Sequence, residues 1–412
     1  MLVDQHSHGV LHTELGLATF EARLAAEAGA GAPYRGTFYE GSFYDSGPGL
    51  AVRRWCPPLL GLEPHCPPAR YLARRREMGA YAAARALLHG SGIGCFLVDT
   101  SPAGASDTPE NPGGGVGGPD GHGGPGGPGG HGALRPEAGE ALMAGACEGP
   151  AAPYGLTSPG ELAAASGGRV REAVGLEALA AQIADTSGSV RAFVTNTAEA
   201  LHTAARGTVA FISGAGFHEA EPPGLGEVLS AAARWLRHRA EASVQPLRRI
   251  AGLALHHEPV LVRHLLWSAL TTGRPLQLRC GDPAPLEGFL GATTGRGTAL
   301  VLLARPPHHR AAARLAAAFP HVYADAGPSP AETLAEAPFG KLLFATRARA
   351  LPELYVTRAR GFTAALGRVL AEWVEEGVCA RADASRIAAR IACGNASRVY
   401  GLGVGEGEGA GR

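Results

Sequence analysis

Eight short runs rich in Leu, Val, Ile and Ala recur along the chain, and most are followed by a stretch with helical periodicity. They are Leu2–His6, Gly94–Thr100, Val170–Leu176, Thr208–Ser213, Pro275–Arg279, Ala299–Ala304, His321–Ala324 and Lys341–Ala345. Several are apolar at consecutive positions, as in Val301-Leu302-Leu303 and Leu342-Leu343-Phe344, so both faces of such a strand must be covered. Strands alternating with helices predict a parallel sheet with crossover helices. Eight such units fit a (β/α)8 TIM barrel enlarged by insertions beyond its usual ~250 residues. An open, doubly wound sheet is the alternative, weakened because no GxGxxG opens a helix after the first strand. Helices are expected over Leu17–Ala28, Arg70–Leu88, Glu258–Leu270, His308–Phe319, Glu353–Glu376 and Asp383–Tyr400, the last with Asp383 as its N-cap.

A chain of 412 residues has room for one large domain or for two to three ordinary ones. The strand count assigns residues 1–402 to a single barrel. Between the second and third runs, residues 101–133 form an insertion in which 13 of the 21 residues from Pro112 to Gly132 are Gly. That composition predicts a flexible Gly/Pro-rich segment, and the Gly/Glu-rich residues 403–412 predict a disordered tail. Basic and acidic residues balance at 37 each, which argues against a nucleic-acid or membrane-surface partner. No run of about 18 apolar residues is present to span a bilayer, and the first residues do not read as a signal peptide. The seven cysteines are scattered with no CxxC pair, a pattern that fits reduced thiols in a cytoplasmic protein.

The sharpest local feature is Asp4-Gln5-His6-Ser7-His8 at the end of the first run. Residues two apart on a strand point to one face, so both imidazoles can enter one space. Two neutral imidazoles make half of a zinc-like divalent-metal site. Asp99, Asp282 and Asp325 fall at or near other strand ends, from which they could help rebuild a metal site; capping the next turn or pairing with an arginine is the bland alternative for Asp99 and Asp325. His256-His257 precedes a helix and His264 lies inside it, which reads as solvated or satisfied histidine rather than ligand.

VDQHSHG (3–9), AVRRWCPPLLGLEPHCPPARYLARRRE (51–77) and FLVDT (96–100) resemble the amidohydrolase branch of the metal-dependent hydrolases. The resemblance continues through EPVLVRHLLWSAL (258–270), HHRAAARLAAAFPHVYADAG (308–327), GKLLF (340–344), LPELY (351–355) and GNASRVYGL (394–402). It is most similar to the amidohydrolase domain that some organisms fuse to a glutamine-synthetase-like domain, and no such second domain is expected here. The resemblance implies a (β/α)8 barrel with a divalent, zinc-like metal at the strand C-termini. It implies an HxH from strand one, a Lys or nothing from strand four, a His each from strands five and six, and an Asp from strand eight. That Asp takes the proton of a metal-activated water, and the implied function is hydrolysis or, in related branches, decarboxylation of a small molecule.

His6 and His8 match the strand-one pair, but Ile212, Arg279, Ala304 and Arg347 stand at the four other positions. Arginine cannot ligate, because its guanidinium does not lose its proton. The expectation is therefore an impaired or ligand-binding relative with an incomplete metal site. Its ligand would be small and anionic, held by Arg279, Arg305 and Arg347 through bidentate forks; pairing of these arginines with Asp99, Asp282 or Glu353 is the bland alternative. The competing expectation is an active hydrolase or decarboxylase with a site rebuilt from His6, His8 and non-standard ligands, with His309, Asp282 and Asp325 as accessory residues.

Overall fold

All eight expected strands form and pair in chain order: β1 Leu2–Ser7, β2 Ile93–Asp99, β3 Arg169–Gly175, β4 Ala210–Ser213, β5 Leu276–Cys280, β6 Leu300–Ala304, β7 Val322–Asp325 and β8 Leu342–Leu343. Every neighbouring pair is parallel, with helices in the connections, as a (β/α)8 barrel requires. The computed structural model describes residues 1–27, 43–101, 155–214, 219–244, 255 and 258–403. Residues 102–133 of the expected insertion, the tail from 404 onward and His256–His257 lie outside the described residues.

The ring is completed between its first and last strands largely beyond the end of β8. Gln5 N donates to Phe344 O at 3.0 Å, Arg347 N to His6 O at 2.8 Å, His8 N to Ala348 O at 2.9 Å and Ala350 N to Gly9 O at 3.0 Å. That is why β8 is two residues long where five were expected: the segment that follows keeps bonding to β1 but leaves regular strand geometry. Arg347 and Ala350 both take positive φ there, at 52° and 64°.

Two apolar layers follow from the alternation of side chains. Val3, Cys95, Leu97, Ala173, Ala210, Ile212, Val301, Leu303 and Leu343 fill the barrel interior. Leu2, Phe96, Val98, Phe211, Leu276, Leu278, Leu300 and Leu302 point outward and pack against the helices. Each such aliphatic or aromatic side chain contributes about 1.5–3 kcal/mol on burial. The C-terminal segment closes the N-terminal end of the barrel. Ala396, Tyr400 and Leu402 join the interior layer, while Asn395 Nδ2 donates to Phe339 O and Leu342 O at 2.7 and 2.8 Å. The catalytic end of such a barrel is the opposite one, where the strands finish.

Three helical expectations are corrected. Arg70–Leu88 is two helices, Pro68–Met78 and Ala80–Gly90, broken at Gly79. Gly79 has φ 80°, a conformation only glycine takes at no steric cost. The terminal helix starts at Arg381 with Ala380 as N-cap, so Asp383 lies in its first turn, where it pairs with Arg386 at 2.8 Å. It is also interrupted by a π-helical turn over Arg390–Gly394 before resuming at Asn395–Val399.

The helices between β1 and β2 are fastened to the helix Pro352–Glu375 by a buried polar knot. Glu353 is 0% exposed, and its Oε1 accepts from the Tyr71 hydroxyl at 2.7 Å and lies 3.3 Å from Arg75 Nε. Arg75 also reaches Glu14 at 3.8 Å and lies over the Phe20 ring.

Candidate metal centre

β1 carries His6 and His8 to the barrel mouth, where their rings meet edge to face at 5.2 Å between centroids. The β1–β2 register shifts between Asp4 and Ser7, so the end of β1 departs from strict alternation. Asp99, the last residue of β2, comes alongside. One donor atom from each of His6, His8 and Asp99 lies within 4.8 Å of the other two, and all three residues are buried.

Asp99 divides its carboxylate. Oδ1 accepts Ser101 N at 2.9 Å, capping the turn after β2, whereas Oδ2 is buried and makes no hydrogen bond. The neighbouring strand leaves room for this turn, since a side chain at Gly175 would collide with Ser101 Oγ. A buried acceptor left unpaired costs about 1–3 kcal/mol, more when charged, so Oδ2 is suited to a cation. Burial lowers the His6 pKa well below its ordinary value, and the nearby His8, Arg279 and Arg347 push the same way. His6 is therefore a neutral imidazole at pH 7, the form that ligates.

The residue beneath is also polar. Asp4, 0% exposed, accepts Thr346 N at 2.8 Å and His6 N at 3.3 Å and takes a further hydrogen bond from the Thr346 hydroxyl. Burial pushes its carboxyl up to about 7 despite these bonds.

Two of the arginines reach this space, each with a carboxylate in its field. Arg347 Nη2 lies 2.8 Å from Asp325 Oδ2 and donates to Ala304 O at 2.7 Å. Arg279, half-buried near the end of β5, bears electrostatically on both His6 and Glu177. Glu177, in the first turn after β3, accepts the Ser213 hydroxyl at 2.5 Å and Gly214 N at 3.0 Å, and burial raises its pKa. Bare arginines about 4 Å from a dication would repel it by roughly 8 kcal/mol at an effective dielectric of 20. The Asp325 carboxylate paired with Arg347 removes much of that penalty there.

The remaining predicted residues sit elsewhere. Arg305 is exposed on the turn after β6. Asp282 is exposed, caps Ala284 N at 3.0 Å and stands 4.0 Å from His308. Asp325 caps Gly327 N at 3.1 Å while pairing with Arg347. His309 is buried beneath Gly327 with Nε2 3.1 Å from Glu332. The Ala304 side chain packs in the outer layer and that of Ile212 in the interior layer. Reading Asp99 as a turn cap accounted for only one of its two oxygens; the signal for the other was its place as the single carboxylate ending an apolar strand, in FLVDT.

No protein-family profile matches the chain, and no curated protein sequence does either. Solved structures do. A Lactobacillus casei protein described as a metal-dependent hydrolase superposes with a TM-score of 0.68 at 18% identity, over 97% of this chain and 95% of that one. Uronate isomerase from Thermotoga maritima gives 0.57 at 12% identity over 97% and 94% of the two chains. Glucuronate isomerase from Caulobacter crescentus gives 0.57 at 14% identity over 98% and 91%. The chain shares with these proteins the whole (β/α)8 barrel from end to end.

Proposed function

We propose that this chain is a metal-dependent enzyme of the amidohydrolase type, acting on a small molecule at a site rebuilt around His6, His8 and Asp99. The observation that carries the reading is Asp99, which has a carboxylate oxygen within 4.8 Å of donor atoms of both histidines and whose Oδ2 is buried without a hydrogen bond. Three protein ligands of this kind are what a catalytic zinc site uses, in contrast to the four of a structural one. A divalent ion held there would supply Lewis-acid polarisation of a substrate oxygen or of water. Around it, His6 stays neutral, Asp99 supplies the negative charge, and Arg279 offers a fixed positive charge to an anionic substrate group.

A second reading is favoured by one specific residue. Arg347 occupies the strand-eight position at which the family resemblance implies a proton-accepting Asp, and a guanidinium cannot accept a proton. On that reading the barrel holds its metal and binds a small anion without hydrolysing it.

One experiment separates the two. Metal-stripped protein is reloaded with zinc or manganese and assayed against a panel of small amides, lactones and carboxylic acids, with His8→Ala as control. Metal-dependent turnover lost in His8→Ala supports the enzyme. Metal binding with thermal stabilisation by small carboxylates or phosphate, and no turnover, supports the binding protein.

A further inference from the structure

Gln277 sits in the middle of β5, fully buried in the barrel interior between His6 and the C-terminal segment. Its Nε2 lies 2.7 Å from the backbone oxygen of Gln5 and 2.9 Å from the Tyr400 hydroxyl. Its Oε1 lies 3.0 Å from Nδ1 of His6. The orientation of this amide follows from its partners. A backbone carbonyl only accepts, so the group facing Gln5 O must be the NH2. The Tyr400 hydroxyl gives its one proton to Gln5 Oε1 at 2.8 Å and so accepts the second hydrogen of Nε2. Both amide hydrogens are then used, and His6 meets an oxygen that can only accept.

Nδ1 of His6 must therefore carry the ring proton, and the lone pair is left on Nε2. We propose that Gln277 is a positioning residue, held by Gln5 and Tyr400, that fixes His6 as the Nδ1–H tautomer and commits Nε2 to the metal. The inference rests on the metal reading above and extends it to a chain of contacts from the C-terminal segment through the barrel floor to the site. Such a partner sets both the ring orientation and the basicity of a ligating histidine, and its loss typically weakens metal affinity 10–100-fold. Gln5 O alone suffices to orient the amide, so Tyr400 reinforces the arrangement rather than determining it.

The test begins with metal-free protein labelled with 15N in its histidines, with the His6 signals assigned by comparison with His6→Asn. Long-range 1H–15N spectra identify which ring nitrogen bears the proton. The expected result is a protonated Nδ1 and a pyridine-type Nε2 in the wild type and in Gln277→Glu, which keeps an acceptor facing His6 and, protonated on its other oxygen, a donor facing Gln5 O. In Gln277→Leu the two tautomers should mix, and zinc affinity should fall 10–100-fold relative to Gln277→Glu at matched unfolding midpoints. A protonated Nε2 in the wild type overturns the proposal, and that measurement stands even if Gln277→Leu does not fold. Equal zinc affinity in the Leu and Glu variants also overturns it. Nδ1–H at His6 in a protein that binds no zinc would count for the orienting role of Gln277 and against the proposed function, so the two failures are distinguishable.

Discussion

Arg347 Nη2 lies 2.8 Å from Asp325 Oδ2, joining the segment after β8 to the end of β7 at the rim of the site. Arg347 makes this pair from positive φ, which costs a non-glycine residue about 1–2 kcal/mol. Its conformation is held from several sides. Its N donates to His6 O at 2.8 Å, its carbonyl accepts from Arg358 Nη1 at 2.9 Å, and its guanidinium donates to Ala304 O at 2.7 Å. Backbone strain maintained by this many contacts marks a position whose side-chain direction matters.

Replacing this arginine separates the two energies. Arg347→Ala leaves the Asp325 carboxylate, 6% exposed, without its counter-charge. Because the guanidinium is itself partly exposed, the expected loss is about 2–3 kcal/mol, below that for a fully buried pair. Arg347→Gly loses the same pair but relieves the φ strain, so it should remain about 1 kcal/mol more stable than Arg347→Ala. Urea unfolding of the two metal-free variants measures the difference, and equal midpoints would show that the strain is absent.

The buried knot predicts a larger effect. Glu353→Ala leaves Arg75, whose side chain is 4% exposed, with only the more distant Glu14 as counter-charge and should cost about 3 kcal/mol. Tyr71→Phe removes one hydrogen bond to the same carboxylate and should cost about 1.5–3 kcal/mol. The double variant should fall well short of the sum, because both changes act on one group.

Acid sensitivity should report on His264. Burial lowers its pKa from the ordinary 6.5, so the folded chain resists a proton that the unfolded chain binds. The unfolded state then carries more protons at pH below about 6.5, and folding stability declines as pH falls through that range. Above it both states are neutral and the contribution is flat. His264→Leu should flatten the slope of stability between pH 6.5 and 5 in metal-free protein, and an unchanged slope would show that His264 does not contribute.

Much of the architecture was legible in the sequence because several strands are covered on both sides and so read as unbroken apolar runs. Val301-Leu302-Leu303 is the clearest, with Val301 and Leu303 inside the barrel and Leu302 under the helices. Gly79 escaped notice as a helix break because helical periodicity continues on both sides of it. β8 was overestimated because the residues after Leu343 still bond to β1, in irregular geometry. At the site, His6 and His8 were visible from their spacing alone, since a strand puts them on one face. Asp99 was visible only as one of three strand-end carboxylates, because its nearest functional neighbours lie more than 90 residues away in sequence and only strand order unites them. Arg347 looked hostile to a metal for the same reason: its carboxylate partner, Asp325, comes from another strand.

The most direct test of a metal centre built on His6, His8 and Asp99 is the zinc content of purified, dialysed protein compared with Asp99→Ala. The account predicts one ion per chain in the wild type and less than about a tenth of that in Asp99→Ala, with both variants folded by circular dichroism, since ligand loss costs a three-ligand site most of its affinity. A wild type without stoichiometric metal, or an Asp99→Ala variant that retains it in full, would contradict the account.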